Sequence, residues 1–152
     1  MDREKNTIII CLIIGLFMLS GCSGSSSPNL SADNVQKKIA IDKLEIYHFH
    51  GNHQCYSCLT VGDYAEETVK TYFADELESG KIIFGHINAE LPENRDLVMK
   101  YGATGSSLWI GVYRKDGSFS KEENINVWYK INNKEEYMAY LKGIIEQKLA
   151  GN

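Results

Sequence analysis

Two cysteines three positions apart, Cys55 and Cys58, stand between a run that reads as a buried strand and a run that reads as a long helix. The strand is Lys43 to His50 (KLEIYHFH), rich in β-branched and aromatic residues, and Gly51-Asn52 ends it with a turn signal. From Val61 the apolar positions Val61, Ala65, Val69, Tyr72 or Phe73, and Leu77 recur at helical spacing, with acids and lysines between them, until Ser79-Gly80 supplies a stop. A strand that turns directly into a helix delivers the first cysteine to the helix N-terminus, where unpaired N–H groups and the macrodipole favour a thiolate. The i, i+3 spacing sets the second sulfur on the same face, within reach of a disulfide of normal geometry. Cys55 is then the exposed nucleophile and Cys58 the more buried resolving thiol, a pair suited to thiol-disulfide exchange. The same spacing also serves a zinc half-site or an inert structural pair.

The remaining pattern fixes the fold class. Lys81 to Ile87 is a second strand, and Pro92 opens a helix whose apolar face is Leu97, Val98 and Tyr101 and which Gly102 closes. Leu108 to Tyr113 is a third strand, and Lys115-Asp116-Gly117-Ser118 a hairpin turn that places Phe119 to Tyr129 on or near an antiparallel fourth. Tyr137, Leu141, Ile144, Ile145 and Leu149 mark one face of a final helix. Strands joined through a helix pair in parallel with a right-handed crossover, and hairpin strands pair antiparallel. The expectation is an α/β domain with a mixed four-stranded central sheet flanked by helices in β-α-β-α-β-β-α order, the order of the minimal thioredoxin fold.

The other two cysteines fall at the N-terminus. Ile8 to Leu19 is an apolar run containing Cys11, and Leu19-Ser20-Gly21-Cys22 follows it. Twelve helical residues rise only about 18 Å against a hydrocarbon core of roughly 30 Å, which favours a signal peptide over a membrane span. The tetrapeptide resembles the lipobox of prokaryotic lipoproteins, which implies cleavage before Cys22 and a lipid on its sulfur. Asp2 and Glu4 offset Arg3 and Lys5 in the n-region, the pattern an uncleaved signal anchor would also tolerate. Ser23 to Asn34 has the Ser, Gly and Asn content of a flexible tether. The expected organisation is a lipoprotein signal peptide over 1–21, a lipidated tether over 22–40 and a single domain over 41–152, held at the cell membrane and facing out of the cytoplasm. Only Cys55 and Cys58 then remain as thiols of the domain, which excludes a framework of structural disulfides. The net charge of −4, with lysines and acids interleaved, gives nucleic acid no basic stripe to bind.

Phe49-His50-Gly51-Asn52-His53-Gln54-Cys55-Tyr56-Ser57-Cys58, the long helix after it and the LWIGVYRKDG hairpin resemble the thioredoxin superfamily. More narrowly, the FHG…CxxC start, Phe73-Ala74-Asp75-Glu76-Leu77 and the Trp128 region are similar to thioredoxin-like proteins named as a nitrophenyl-compound nitroreductase or arsenical-resistance F subunit. No flavin-binding feature accompanies the nitroreductase name, and no cofactor is expected. The wider resemblance implies a disulfide oxidoreductase acting on disulfide-bearing proteins. A reductase of this kind, confined to a membrane, draws electrons from a thiol carrier of the CcdA type. The resemblance also sets His48 where thioredoxins bury a carboxylate beneath the cysteines, which makes it a candidate proton relay to Cys58. His53, in the loop, is a candidate stabiliser of the Cys55 thiolate. Thioredoxins carry a cis-proline before the third strand; the matching stretch Gly105-Ser106-Ser107-Leu108 makes Ser106 and Ser107 the substrate-loop residues and puts serine in the proline's place. A cis peptide before serine costs about 2.5–4 kcal/mol, so a trans loop is expected. Tyr56-Ser57 in place of Gly-Pro separates the redox potential from thioredoxin's.

Two other readings use the same residues. His50, His53, Cys55 and Cys58 form a soft N2S2 set for zinc or copper(I) in a metal-binding or metal-delivery module. A non-catalytic interaction subunit with a vestigial CxxC is the third reading. Tyr64, Tyr72, Tyr137 and Tyr140 read as core or boundary residues, Trp109 and Trp128 as packed in the sheet, and Glu66-Glu67, Asp75-Glu76 and Glu122-Glu123 as solvated faces.

Overall fold

β1 (Ile41–His50) lies inside a four-stranded sheet of order β2-β1-β3-β4, where β2 is Ile82–Asn88, β3 Ser107–Arg114 and β4 Phe119–Glu123. The structure, a computed structural model, describes residues 39–152; the expected signal peptide, Cys22 and the tether through residue 38 lie outside the described residues. β1 pairs in parallel with β2 and antiparallel with β3, and β3 pairs antiparallel with β4, as the connections require. In the β3–β4 hairpin Gly117 takes φ +85°, the left-handed conformation that glycine adopts without a Cβ penalty, while Asp116 accepts from the Ser118 N–H at 2.9 Å. The expected mixed α/β sheet in β-α-β-α-β-β-α order is therefore the observed one.

Successive side chains of β1 point to opposite faces, so each face has its own layer. Leu44 and Ile46 join Val61, Ala65 and Val69 of α1 (Tyr56–Tyr72), Leu108, Ile110 and Val112 of β3, and Tyr137, Leu141 and Ile145 of α4 (Lys134–Leu149) in the main core. Tyr47 and Phe49 pack on the other face with Tyr101, from α3 (Arg95–Tyr101), and Ala103. The predicted stop at Gly102 is there, at φ +72° with its N–H on the Val98 carbonyl.

Two expectations change. The helix read from Val61 to Ser79 breaks at Phe73 and resumes as α2 (Ala74–Glu78). Phe73 leaves helical geometry at φ −135° and buries its ring in the main core, and Tyr72 is thereby left half exposed on the outside. The last sheet strand stops at Glu123, and Ile125–Tyr129 forms a 3-10 turn that presses Val127 and Trp128 against the main core; Trp128 thus packs from a turn, not from the sheet. The acid pairs do lie on accessible faces, where Glu66 pairs with Lys70 at 2.6 Å, Glu67 with Lys134 at 2.6 Å and Glu122 with Lys148 at 3.0 Å.

The central strand carries two buried polar side chains, one on each face, and each has a specific accommodation. Glu45, 6% exposed, faces α3 and accepts hydrogen bonds from Lys43 (2.9 Å), Lys100 (3.0 Å), Tyr101 (2.9 Å) and Tyr113 (2.9 Å). Burial pushes its pKa upward, but the four donors outweigh it and hold the carboxyl at about 2. His48, 1% exposed, faces α1, and its ring lies where a side chain on Gly62 would be: a Cβ there would meet the imidazole Nδ1, with Cε1 at 2.6 Å and Cγ at 2.9 Å. A glycine inside α1 is the complement of a histidine inside β1.

Because the folded pKa of Glu45 lies below the ordinary 4.5, its contribution is present above about pH 4.5 and is lost as pH falls towards 2. Glu45→Gln should lower stability at pH 7 by about 1–3 kcal/mol and flatten the acid limb of the stability curve, measured by urea unfolding at several pH values. Alanine normally exceeds glycine inside a helix by about 0.8–1.0 kcal/mol. Gly62→Ala should instead destabilise by about 1–3 kcal/mol, and adding His48→Ala should restore part of the loss; thermal melts of the three variants check the sign.

Candidate active site

Cys55 is the N-cap of α1. Its backbone is extended (φ −78°, ψ 166°), and its sulfur accepts the Cys58 N–H at 3.2 Å, so a thiol occupies the place usually taken by Ser, Thr, Asp or Asn. The first turn of α1, Tyr56-Ser57-Cys58, contains no acid, which leaves the positive end of the helix to the sulfur. The hydrogen bond from the Cys58 thiol first, then those from the Cys58 and Ser57 backbone, lower the Cys55 pKa below that of an ordinary thiol. Cys55 is exposed and Cys58 half-buried, and both are free thiols. The geometry separates an accessible, thiolate-favouring sulfur from a shielded partner one turn along.

The loop before the cysteines is fastened to β2 and to the residues after it. Asn52 donates to Glu90 and accepts from Asn88 at 2.8 Å, and Asn94 donates to the Asn88 carbonyl at 2.8 Å. The turn is thereby fixed relative to the sheet. Beside the sulfurs the surface is apolar, with Tyr56 78% exposed and Leu59 also open to solvent.

The antiparallel register sets Ser107 opposite Phe49 and Leu108 opposite His48, so Ser106 and Ser107 arrive at the end of the sheet from which the cysteine loop departs. Ser107 is buried and its hydroxyl is fully used, donating to the Gly105 carbonyl and accepting from Trp109 Nε1, each at 3.0 Å. Ser106 Oγ is buried without a partner among the described residues, as are Gln54 Oε1 and His48 Nε2. Of the two loop serines, Ser106 retains free hydrogen-bonding capacity and Ser107 holds the loop.

The histidines divide. His50 turns its Nδ1 to the Gly51 carbonyl at 2.9 Å, and His53 is exposed with no hydrogen bond to Cys55 among the described residues. No group of three or more His, Cys, Asp or Glu side chains converges on a metal-binding point among the described residues, so His50, His53, Cys55 and Cys58 are not assembled as ligands. His48 lies behind the cysteine turn, with the Cys58 carbonyl near enough to favour its protonated form. Burial, followed by the neighbouring His86 and His50, outweighs that carbonyl and brings the His48 pKa down to about 4.

His86, Glu66 and Gly62 belong to this environment and escape sequence reasoning. The parallel register places His86 directly beside His48, with the two Nδ1 atoms 3.0 Å apart, and His86 Nε2 lies 3.4 Å from Glu66 Oε2. A glycine four positions after Cys58, inside a helical pattern, was the one sequence signal pointing there.

No protein-family model matches the chain, and no curated protein matches it. Among solved structures the chain is similar to the Trx4 domain of ERdj5, at 16% identity and a TM-score of 0.46 over 74% of this chain and 88% of that one. It is also similar to human ERp44 in its zinc-bound form, at 13% identity and a TM-score of 0.44 over 74% of this chain and 30% of that one. Neither similarity extends to the narrower arsenical-resistance resemblance. On its own strand order and pairing, with free Cys55 and Cys58 at the start of the first helix, the described chain has a thioredoxin-like fold.

Proposed function

We propose that this protein is a membrane-anchored thiol-disulfide oxidoreductase that works as a disulfide reductase outside the cytoplasm. The observation that carries the chemistry is the Cys55 sulfur capping α1 by accepting the Cys58 N–H at 3.2 Å. The Cys55 thiolate attacks a disulfide of a partner protein; one partner sulfur leaves as a thiolate and takes a proton, and the other stays bonded to Cys55. The Cys58 sulfur, on losing its proton, attacks Cys55. The Cys55–Cys58 bond forms, the bond to the partner breaks, and the partner departs fully reduced. Exposed Tyr56 and Leu59 supply apolar contact for the partner chain.

The address rests on the N-terminal sequence, and the reducing direction on the electron supply that a tethered thiol pair needs. A lipid on Cys22 and the Ser/Gly-rich segment after it would keep the domain at high effective concentration near a membrane partner. One thiol pair needs an electron supply for each cycle, which a membrane thiol carrier of the CcdA type would provide.

Four measurements test this reading. In the full chain with Cys11 and Cys22 changed to serine, dithiothreitol-driven insulin reduction should fall to background on Cys55→Ser. Cys58→Ser should instead accumulate a mixed disulfide visible by mass, and a Cys55/Cys58 potential near about −270 mV supports reduction whereas one near about −120 mV overturns it. Labelled fatty acid should enter the unmodified chain and not Cys22→Ser; equal labelling of both would sink the anchor.

A further inference from the structure

The sheet has two edges, and they are defended unequally. β4 is five residues long, and three of them, Lys121, Glu122 and Glu123, are charged, the usual guard against pairing with another chain. β2 is seven residues long, Ile82-Ile83-Phe84-Gly85-His86-Ile87-Asn88, with no lysine, acid or proline and no bulge in its pairing with β1. We propose that the β2 edge is a pairing surface for a second copy of this chain: two β2 strands run antiparallel about a two-fold axis at Gly85 and join the two four-stranded sheets into one. The proposal goes beyond the thiol-disulfide reading and does not depend on it.

Hydrogen bonding leaves the outer side of β2 open. Leu44 donates its N–H to the Lys81 carbonyl at 2.9 Å, and Ala89 donates its N–H to the His50 carbonyl at 2.7 Å, so the main chain at alternate positions from Lys81 to Ala89 is turned to β1. By the same alternation the N–H and C=O groups of Ile82, Phe84, His86 and Asn88 point away from the sheet, and no strand takes them among the described residues. Of these groups the Asn88 carbonyl is engaged, by the Leu91 N–H at 3.3 Å and the Asn94 side chain at 2.8 Å. A row of outward main-chain groups on an uncharged strand is a template for another strand.

What singles out a second copy is that β2 complements itself when read backwards. With Gly85 opposite Gly85 of the copy, Phe84 lies opposite the copy's His86, and on each side of the axis that pair exchanges both main-chain hydrogen bonds. Ile83 then lies opposite the copy's Ile87 at the closer, non-hydrogen-bonded positions. The side chains suit this register on both faces. On the α3 face Ile83, 36% exposed, meets Ile87, and Gly85 places no side chain at the axis. On the α1 face Phe84 already packs edge-on against His86 of its own strand, ring centroids 5.1 Å apart, and the copy sets a second such pair beside it. Towards the ends Lys81 falls opposite Ala89 of the copy, next to its Glu90, so opposite charges adjoin at both ends and no like charges face one another between them. Because the two β1 strands would run in opposite directions, the two cysteine turns stand at opposite ends of the joined sheet and neither covers the other.

Disulfide cross-linking reads the register directly, in the full chain held in detergent micelles with Cys11, Cys22, Cys55 and Cys58 changed to serine and diamide as oxidant. At a non-hydrogen-bonded antiparallel pair the Cα atoms lie about 4.5 Å apart, within disulfide range. Gly85→Cys should therefore link into a dimer about 10-fold or more faster than Ile83→Cys alone, whose two copies are offset by four residues across the axis, and than Lys121→Cys on the charged edge. A Cβ at position 85 lies 3.4 Å from the Tyr47 ring, so a second arm avoids that site: Ile83→Cys and Ile87→Cys chains, mixed, should link to each other and neither to itself. Adding Ile83→Lys, at a position open to solvent, should slow the Gly85→Cys linkage about 10-fold, and the Phe84 and His86 amides of the parent should exchange faster on dilution. Equal rates for the three single variants, or the highest rate for Ile83→Cys, overturn the proposal. A Gly85→Cys chain that stays monomeric overturns it as well; Phe84 and His86 amides protected at every dilution would then give the edge to residues before position 39 of the same chain.

Discussion

The position of β1, between one parallel and one antiparallel neighbour, is the constraint on which the site depends. A parallel partner obliges the chain to cross back over the sheet, and the crossover is made by α1 and α2. The helix begins a few residues beyond the end of β1, and the cysteines stand at its start, Cys55 as its cap and Cys58 in its first turn. The antiparallel partner brings the start of β3 to that same end, with Ser106 and Ser107 beside it. Cys55, the helix terminus it caps and the serine loop are gathered by the strand order and its connections.

A strand covered on both faces has no cheap place for polar groups, yet β1 carries Glu45 and His48 three positions apart and on opposite sides. Glu45 is satisfied by excess: two lysines and two tyrosines converge on one carboxylate and tie α3 and β3 to the strand. His48 is satisfied only in part. Its Nδ1 has His86, and its Nε2 has no hydrogen-bond partner among the described residues. The fully bonded group lies towards the start of the strand and the incompletely bonded one near the loop that leads to Cys55.

The fold was largely legible because its signals are local. Periodicity placed the strands and the last helix, Gly102 and the Asp116-Gly117 turn marked two chain reversals, and the helical pattern after Cys58 located the cysteines on a helix start. What was hidden depends on tertiary choice. Phe73 and Tyr72 both fit a helical stripe, and only the shape of the core decides that Phe73 turns in and ends the helix. Trp128 follows a hairpin strand in sequence, but Val127 behind it is buried from a 3-10 turn instead. At the site, the two cysteines and their unequal exposure followed from spacing, whereas the His48–His86 contact needs the strand register and Glu66 needs the helix to lie over β2. A residue spacing of thirty-eight between the two histidines gives no local pattern to read.

The two polar residues of β1 also link folding to acidity with a single sign. His48 binds its proton in the folded chain only near pH 4 against an ordinary 6.5, and Glu45 only near pH 2 against an ordinary 4.5. Forming the sheet therefore expels a proton from the histidine between about pH 6.5 and 4, and from the carboxyl between about pH 4.5 and 2. At both residues folding is proton-releasing in acid, and an acidifying surrounding would draw first on the histidine face of the central strand and then on the carboxylate face.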